Sequence, residues 1–218
     1  MRAIYGAAHT RTNYDGIHNF SWTGAGVMAK GEVRERMILG AVRLLAERGL
    51  EGTSFAEVLE LTGAPRGSTY HHFPGGKSEL VAAALELAGS HAISVMEPLR
   101  GQPAPVVVQG FMTLWRRLLE ASRMRSGCAV LAVTVAGNDD ELLADAGRIF
   151  RGWREHLASL LVDGGLSSEL AAQLAALTIS ASEGAVAVTR AEQDWEPFDL
   201  VEAYLVGEAA RLATDAPA

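Results

Sequence analysis

The stretch "GAPRGSTYHHFPGGKSEL", from Gly63 to Leu80, separates two strongly apolar and periodic parts of the chain. It combines glycines and prolines with a pair of adjacent histidines and the tetrapeptide "GGKS". Three interpretations compete: a metal site at the histidines, a phosphate-binding loop at "GGKS", or a surface that lies on DNA. Residue spacing and the surrounding sequence decide between them.

The phosphate-loop and metal interpretations both fail on spacing. In the pattern G-x-x-x-x-G-K-[ST], Gly76 and Lys77 would need a glycine at position 71, and that residue is His71. His71 and His72 diverge by roughly 100° on a helix, so they do not share one ion. Since no other group of Cys, His or acidic residues has ligand spacing, we expect no metal and no cofactor.

The segment before this stretch predicts two helices. From Lys30 to Arg48, apolar residues recur every three to four positions, and Gly49 follows as a stop. Ser54 followed by Glu57 matches a capping box, so a short helix should run from about Phe55 to Leu61.

The stretch itself predicts a third helix. Gly63 ends the second helix, and Pro65 suits the first turn of the next because its missing amide hydrogen costs little there. This helix must end by Phe73, since Pro74 and two glycines follow. Two short helices joined by a tight glycine turn, the second carrying small polar residues, are typical of a helix-turn-helix that enters DNA.

The rest of the chain is predicted to be almost continuously helical, with breaks at "GQPAP", "RSG", "GND", "DGG" and "DWEP". The fold class is therefore all-α, with about nine helices: a three-helix head at 30–76 and a helical bundle body at 77–218. Residues 1–29 lack periodicity and are predicted to form a flexible tail. That tail is either a real arm or the result of a translation start that truly lies near Met28.

Charge is divided unevenly between the two parts. The chain has 218 residues and a formal net charge of -7. Residues 30–80 hold seven basic and seven acidic side chains, whereas the residues after Leu80 hold ten basic and eighteen acidic ones. A neutral head can therefore approach DNA, while the acidic body is repelled by it.

Other features narrow the class of protein. The single cysteine, Cys128, suits a reducing cytoplasm, and we expect neither a signal peptide nor a membrane span. An enzyme is disfavoured because the chain has no paired catalytic signature such as G-x-S-x-G. The alternative that stays open is a helical oligomeric small-molecule-binding protein, or an enzyme, that never binds DNA.

The segment "TSFAEVLELTGAPRGSTYHHFPGGKSEL" resembles the head of TetR-type repressors. The residues that fit the family pattern in register are Thr53, Gly63, Gly67, Tyr70, His72, Phe73, Lys77 and Leu80. The "FPGGK" form, "SGCAV", "SEGAVAVTRAEQDWEPFDLV" and the tryptophan in "RGWREHL" are similar to the LmrA and YxaF branch. The resemblance implies a ligand-responsive regulator, most often a repressor, that binds a palindromic operator as a dimer.

The helix-turn-helix interpretation gives the head residues specific roles. Arg66 is the best candidate for base recognition, because its planar fork can engage guanine O6 and N7. The resemblance implies that Tyr70 and His72 reach phosphates, and Lys77 lies at a helix N-terminus that favours phosphate. Thr69 stands where the family has a large apolar residue that packs the third helix onto the head. We expect the smaller threonine side chain to pack there only partly. The full predicted DNA-binding set is Thr53, Ser54, Arg66, Gly67, Ser68, Thr69, Tyr70, His71, His72 and Lys77.

The body is predicted to provide the dimer contact and an effector cavity. Small residues cover nearly every face of 167–188, which permits close approach of a second helix, and the resemblance implies a dimer through the last two helices. A small hydrophobic or aromatic effector is expected to bind between body helices and release the operator. The candidate lining residues are Phe111, Met112, Trp115, Cys128, Thr134, Phe150 and Trp153.

Overall fold

The computed structural model describes residues 30–136 and 139–214, without the side chains of Lys30 and Ser68. The predicted tail at 1–29 lies outside the described residues. Within the described part the fold is all-α, as predicted. Its nine α-helices are α1 (Lys30–Arg48), α2 (Phe55–Thr62), α3 (Ser68–His72), α4 (Gly76–Met96), α5 (Ala104–Ser122), α6 (Ala129–Ala136), α7 (Asp140–Asp163), α8 (Ser168–Glu192) and α9 (Glu196–Thr214), with a 3-10 turn at Glu97–Leu99.

Helix α1 forms the core of the head and also the contact with the body. Its apolar stripe, which includes Met37, Ala41 and Leu45, is completely buried. The helix packs against α2 on one side and against α4 and α6 on the other. Gly49 follows with φ of 75°, a left-handed conformation that favours glycine at a helix end.

Helix α2 begins and ends as its sequence predicts. The Ser54 hydroxyl accepts from the backbone N–H of Glu57, and the Glu57 carboxylate accepts from the backbone N–H of Ser54 at 3.2 Å, so the capping box is complete. Gly63 ends the helix in the left-handed region, with φ of 65°, and its N–H donates to the carbonyl of Leu59.

Helix α3 begins later than the sequence predicts. It starts at Ser68, not at Pro65, and Arg66 and Gly67 form a turn before it. A start at Pro65 would need Ala64 as its cap, and alanine has no side-chain oxygen to satisfy the free amides. Gly67 would also disfavour a helix interior by about 1 kcal/mol. The predicted end before Phe73 is confirmed.

The body is a bundle in which α8 packs against α7 and α9, and α5 packs against α9. Side-chain caps fix two of its helix starts: Asp139 accepts from the N–H groups of Glu141 and Leu142, and Ser167 accepts from that of Leu170. Each cap satisfies amides that would otherwise lack an acceptor at the start of a long helix.

Arg116 on α5 anchors the C-terminal helix. Its guanidinium donates to Asp199 at 2.5 Å and also pairs with Glu202 on α9. The same group lies over the rings of Trp195 and Phe198, at 5.0 and 4.9 Å from their centroids. An arginine that combines ion pairs with cation–π contacts fixes α9 against α5 more firmly than one exposed ion pair would.

Two helical segments, 76–99 and α8, are long and apolar enough to cross a membrane by length and composition alone. In both, the apolar residues on one face lie in the protein core, as shown by Leu80 and Leu85 on α4 and by Leu174 and Ile179 on α8. Packing inside the bundle accounts for their composition. Helix α6 is apolar along nearly its whole length, and its Val135 is 80% exposed.

Candidate functional site

The turn before α3 and the outer face of α3 form the most exposed polar surface of the head. Arg66, Gly67 and His71 are exposed, and Tyr70 is 86% exposed. A tyrosine that remains almost entirely in solvent contributes nothing to the core, so its position is consistent with a contact outside the chain. We call Arg66, Gly67, Tyr70 and His71 the recognition surface.

Two residues of the predicted DNA-binding set, Thr53 and Thr69, are buried. Thr69 is 6% exposed, and its hydroxyl donates to the carbonyl of Arg66 at 3.2 Å. Thr53 is 1% exposed, and its hydroxyl donates to the carbonyl of Gly49 at 2.8 Å. Both hydroxyls therefore hold turns in place. Thr69 was expected to pack only partly, and the structure shows it buried.

Phe73 forms the base on which α3 rests. Its side chain is completely buried, its ring lies 6.2 Å from that of Phe55, and the guanidinium of Arg34 stacks on it at 5.1 Å. His72 is half-buried, and its ring meets that of His71 edge-on at 5.2 Å. The two ring planes are tilted by 63° relative to each other, so the rings of these adjacent residues are in contact.

Lys77 is bound to the protein itself. Its Nζ donates to the carbonyl of Leu50 at 2.8 Å, which joins the first turn of α4 to the loop after α1. An ammonium group has three donors, so two stay available for another acceptor. At the same end of α4 the Glu79 carboxylate accepts from the N–H of Gly75 at 2.8 Å, which places an acidic group beside this helix start.

An apolar cavity of about 120 Å³ lies between α1, α4, α5 and α7 and the segment that leads into α6. Four of the seven predicted lining residues border it: Phe111, Trp115, Cys128 and Trp153. The sequence did not single out the others, which are Val42, Arg43, Ala46, Ala88, His91, Ala92, Leu114, Leu118, Gly127, Ala129 and Val130. The cavity was expected between body helices alone, whereas α1 of the head also lines it.

The other three predicted lining residues do not border the cavity. Met112 is completely buried in the core. Thr134 is exposed on α6, and its hydroxyl donates to the carbonyl of Val130 at 3.0 Å. Phe150 packs edge-on against Trp153, with the ring centroids 5.4 Å apart, and is not among the residues that line the cavity. Helical spacing places a residue on an inner face, but it does not show whether a neighbour already fills the space beside it.

The polar groups of the cavity differ in their hydrogen bonding. The indole N–H of Trp153 donates to the carbonyl of Gly89 at 3.0 Å. The indole N–H of Trp115 is buried and has no acceptor among the described residues. Burial lowers the pKa of His91, so its imidazole is neutral at pH 7. The cavity thus combines aromatic walls with one buried donor that a bound molecule could satisfy.

The outer faces of α8 and α9 carry exposed apolar side chains. On α8 these are Leu177 and Val188, and on α9 they are Leu200, at 64% exposed, and Tyr204, at 67% exposed. An apolar face formed by two neighbouring helices marks a protein contact when it is this extensive. Both helices were expected to form the dimer contact.

Two family models match the chain. Residues 38–84 match the model described as bacterial regulatory proteins of the tetR family, and residues 105–204 match the transcriptional regulator LmrA/YxaF-like C-terminal domain. An uncharacterized HTH-type transcriptional regulator of Mycobacterium tuberculosis is 34% identical over 179 residues, which are 79% of this chain and 91% of that protein.

This chain belongs to the TetR family.

Further comparisons agree with the TetR family assignment. The uncharacterized HTH-type transcriptional regulator YxaF of Bacillus subtilis is 27% identical over 177 residues, 79% of this chain and 93% of that protein. A TetR transcriptional regulator of Chloroflexus aurantiacus has the same fold, with a TM-score of 0.70, 24% identity and coverage of 84% and 96% of the two chains. Regulatory protein TetR of Rhodobacter sphaeroides gives a TM-score of 0.71 at 21% identity, covering 80% and 97%.

The family and the geometry together define the class of protein. This TetR-family member is a ligand-responsive DNA-binding transcriptional regulator that acts as a homodimer, and it is not an enzyme. The helix-turn-helix and the LmrA/YxaF-like body occur in the order that the sequence resemblance implies.

Proposed function

We propose that this TetR-family regulator is a repressor that binds a palindromic operator as a dimer and is released by a small hydrophobic or aromatic molecule. The observation that carries this proposal is the composition of the cavity wall. Val42, Arg43 and Ala46 of α1 line the cavity together with residues of the body. A molecule in the cavity therefore touches α1, which forms the core of the head, and its binding can alter how the head is held.

On the DNA side, the head at 30–76 supplies the contacts and the body at 77–218 supplies the dimer and the cavity. Arg66 reads a guanine in the major groove, a contact that contributes about 1 to 3 kcal/mol of discrimination. Gly67 lets the backbone approach closely, Ser68 is proposed to bond a base or a phosphate, and the partly buried His72 reaches a phosphate beside His71. Tyr70, Ser54 and the free donors of Lys77 contact phosphates. Thr69 holds the turn at Arg66 in place, and Thr53 holds the loop before α2.

The dimer sets the geometry of the operator. The apolar faces of α8 and α9 pack against those of a second copy, and the twofold axis then relates two recognition surfaces. These surfaces lie about 34 Å apart, so both enter the major groove on one side of the duplex. Since the head carries no net positive charge, two heads on one operator are needed for tight binding.

The size of the cavity explains how binding could release DNA. At about 120 Å³ it is comparable to cavities that hold a single benzene ring. Pockets for larger ligands measure roughly 300–1,000 Å³, so a larger effector must displace part of the wall. The segment of α1 from 42 to 46 is one such part. A coupling of about 1 to 3 kcal/mol per ligand would weaken operator binding by roughly 5- to 150-fold.

The proposal is tested by selecting duplexes from a random pool with the purified dimer. The expected result is enrichment of a palindrome whose half-sites lie about one helical turn apart, with binding that weakens steeply as salt rises. Aromatic compounds that fit the cavity should then release the selected duplex. If no palindromic duplex is enriched, the proposal that the protein binds a palindromic operator is wrong. We also propose that the protein works in the cytoplasm, because it must reach its operator.

A further inference from the structure

A second recess lies on the opposite side of Cys128 from the aromatic cavity. This groove measures about 470 Å³ and runs between the end of α1 with the loop that follows it, α6 and α8. Its apolar wall includes Leu50, Leu131 and Val186. Ala46, Gly127 and Cys128 border both spaces and form the partition between them.

Glu183 on α8 lies in the wall of this groove with its charge unsatisfied. The side chain is 7% exposed, and neither carboxylate oxygen has a hydrogen-bond partner of good geometry among the described residues. Burial raises the pKa of Glu183 to about 7. The Cys128 thiol faces it as a weak donor, and burial together with the nearby carboxylate raises the pKa of that thiol.

The cations at the rim of the groove are bound elsewhere. Arg48 pairs with Glu57 at 3.3 Å, and Arg190 donates to the carbonyl of Arg125 at 2.7 Å. The two other charged groups that border the groove, Glu47 and Glu51, are acidic, and Glu47 pairs with Arg43 of its own helix at 2.9 Å. Helix α6 brings no ionisable side chain. No basic group among the described residues forms an ion pair or a hydrogen bond with Glu183.

A buried carboxylate whose only neighbouring donor is a weak thiol is costly, so its presence in the wall of an accessible groove favours an outside partner. The groove offers an apolar surface with one acidic group set into it, and this arrangement suits an apolar molecule with one positive charge. We propose that the groove between α1, α6 and α8 binds a protonated amine, whose ammonium group donates to Glu183 and whose apolar part packs on Leu131 and Val186.

The amine site differs from the aromatic cavity in its chemistry. The aromatic cavity has a neutral imidazole and an unsatisfied indole donor, whereas the groove has an unsatisfied acceptor. Binding in the groove does not depend on DNA recognition. Failure of the amine site would leave the repressor proposal standing, and failure of operator binding would leave the amine site standing.

The test uses cyclohexylmethylamine as the probe and cyclohexylmethanol as a neutral control molecule of similar shape. Binding of each to the full-length dimer is measured by calorimetry at pH 6 and at pH 8. The amine stays protonated throughout this range, as a lysine does, while Glu183 ionises. The ionised fraction rises about tenfold between these pH values if its pKa is about 7, so amine affinity should rise about tenfold. The alcohol should bind at least tenfold more weakly at pH 8, without this pH dependence.

The matched variants are Glu183→Gln, which keeps the shape and removes the charge, and Glu192→Gln, an exposed glutamate on the same helix. We expect Glu183→Gln to lose the preference for the amine and its pH dependence, and Glu192→Gln to retain both. Glu183→Asp keeps a charge and should retain the pH dependence with weaker binding, even if the glutamine variant folds poorly. Equal amine binding by the wild type and Glu183→Gln would overturn the proposal. A variant that loses amine binding only because its dimer dissociates would overturn it as well.

Discussion

The backbone N–H of Gly127 donates to the carbonyl of Ala46 at 2.8 Å, and this hydrogen bond joins the segment before α6 to helix α1 of the head. Ser78 and Asp139 form a second link at 3.0 Å between the first turn of α4 and the cap of α7. Gly127 and Ala46 also line the aromatic cavity. A molecule that enters the cavity therefore acts directly on a contact between head and body.

Replacing Lys77 by methionine should have two separate effects. The hydrogen bond to the Leu50 carbonyl is lost, so the free energy of unfolding should fall by about 1 kcal/mol. If the remaining donors meet phosphate, the slope of log affinity against log salt should decrease by about one per head. Denaturant unfolding measures the first effect and fluorescence anisotropy with the operator the second. A lower stability with an unchanged salt slope would restrict Lys77 to a structural role.

Replacing Gly63 by alanine should destabilise the head through backbone strain. Gly63 has φ of 65°, and an added Cβ would meet no atom within 4 Å, so strain alone determines the cost. We expect a loss of about 1 kcal/mol in the free energy of unfolding. Gly152→Ala is the matched control, because that glycine lies inside α7 with equal space and an ordinary helical backbone. It should stabilise the protein by about 0.5 to 1 kcal/mol, and a loss of similar size in both variants would contradict the argument.

Replacing Ala88 by leucine should fill part of the aromatic cavity. The added side chain occupies space beside His91 and Trp115, so an effector that releases the wild-type protein from its operator should no longer do so at the same concentration. We expect its apparent affinity to fall at least tenfold in a titration of the protein–operator complex. Ala144→Leu, at an exposed position of α7, is the control and should respond as the wild type does. Release of the Ala88→Leu variant at unchanged concentrations would place the effector elsewhere.

Glu183 should make the protein less stable as pH rises from about 5 to 8. Its folded pKa of about 7 lies above the ordinary value of 4.5, so the folded state holds the proton more tightly than the unfolded state does. The contribution of Glu183 to the free energy of unfolding is therefore fully present below pH 4.5. This contribution is lost as pH rises through 7. The loss is on the order of 3 kcal/mol per chain.

Urea unfolding at pH 5 and pH 8 measures this contribution. Glu183→Gln should remove most of the difference and should stabilise the protein at pH 8, because the buried charge is gone. Glu192→Gln should leave the difference unchanged. A wild-type protein more stable at pH 8 than at pH 5, with Glu183→Gln showing the same trend, would contradict the sign of the shift.

The sequence was sufficient for local features that depend on neighbouring residues. The capping box at Ser54 and Glu57 and the left-handed Gly63 follow from residue chemistry at fixed spacing, and the structure confirms both. The start of α3 was predicted three residues too early. Proline was taken as a start signal there, although Ala64 cannot cap the helix and Gly67 weakens it.

The cavity could be predicted only in part, because it depends on how distant elements meet. Trp115 and Trp153 were identified as large aromatic residues on inner helix faces. Arg43 and His91 were not predicted to line the cavity. They do so because α1 and α4 border the same space as α5 in the folded chain. The burial of the Glu183 carboxylate likewise could not be predicted, because nothing in the sequence distinguishes it from an ordinary glutamate on a helix. Packing, and not residue type, determines that no basic group of the described residues pairs with it.

The measurement that tests the account most directly compares Arg66→Ala with the wild type on the selected operator and on a scrambled duplex of equal length. We predict a loss of about 10- to 100-fold on the operator and less than twofold on the scrambled duplex, because a base contact contributes to specific binding alone. Arg117→Ala, at an exposed position of α5, should change neither affinity. Equal losses on both duplexes for Arg66→Ala, or no loss on either, would contradict the assignment of the α3 surface to the major groove.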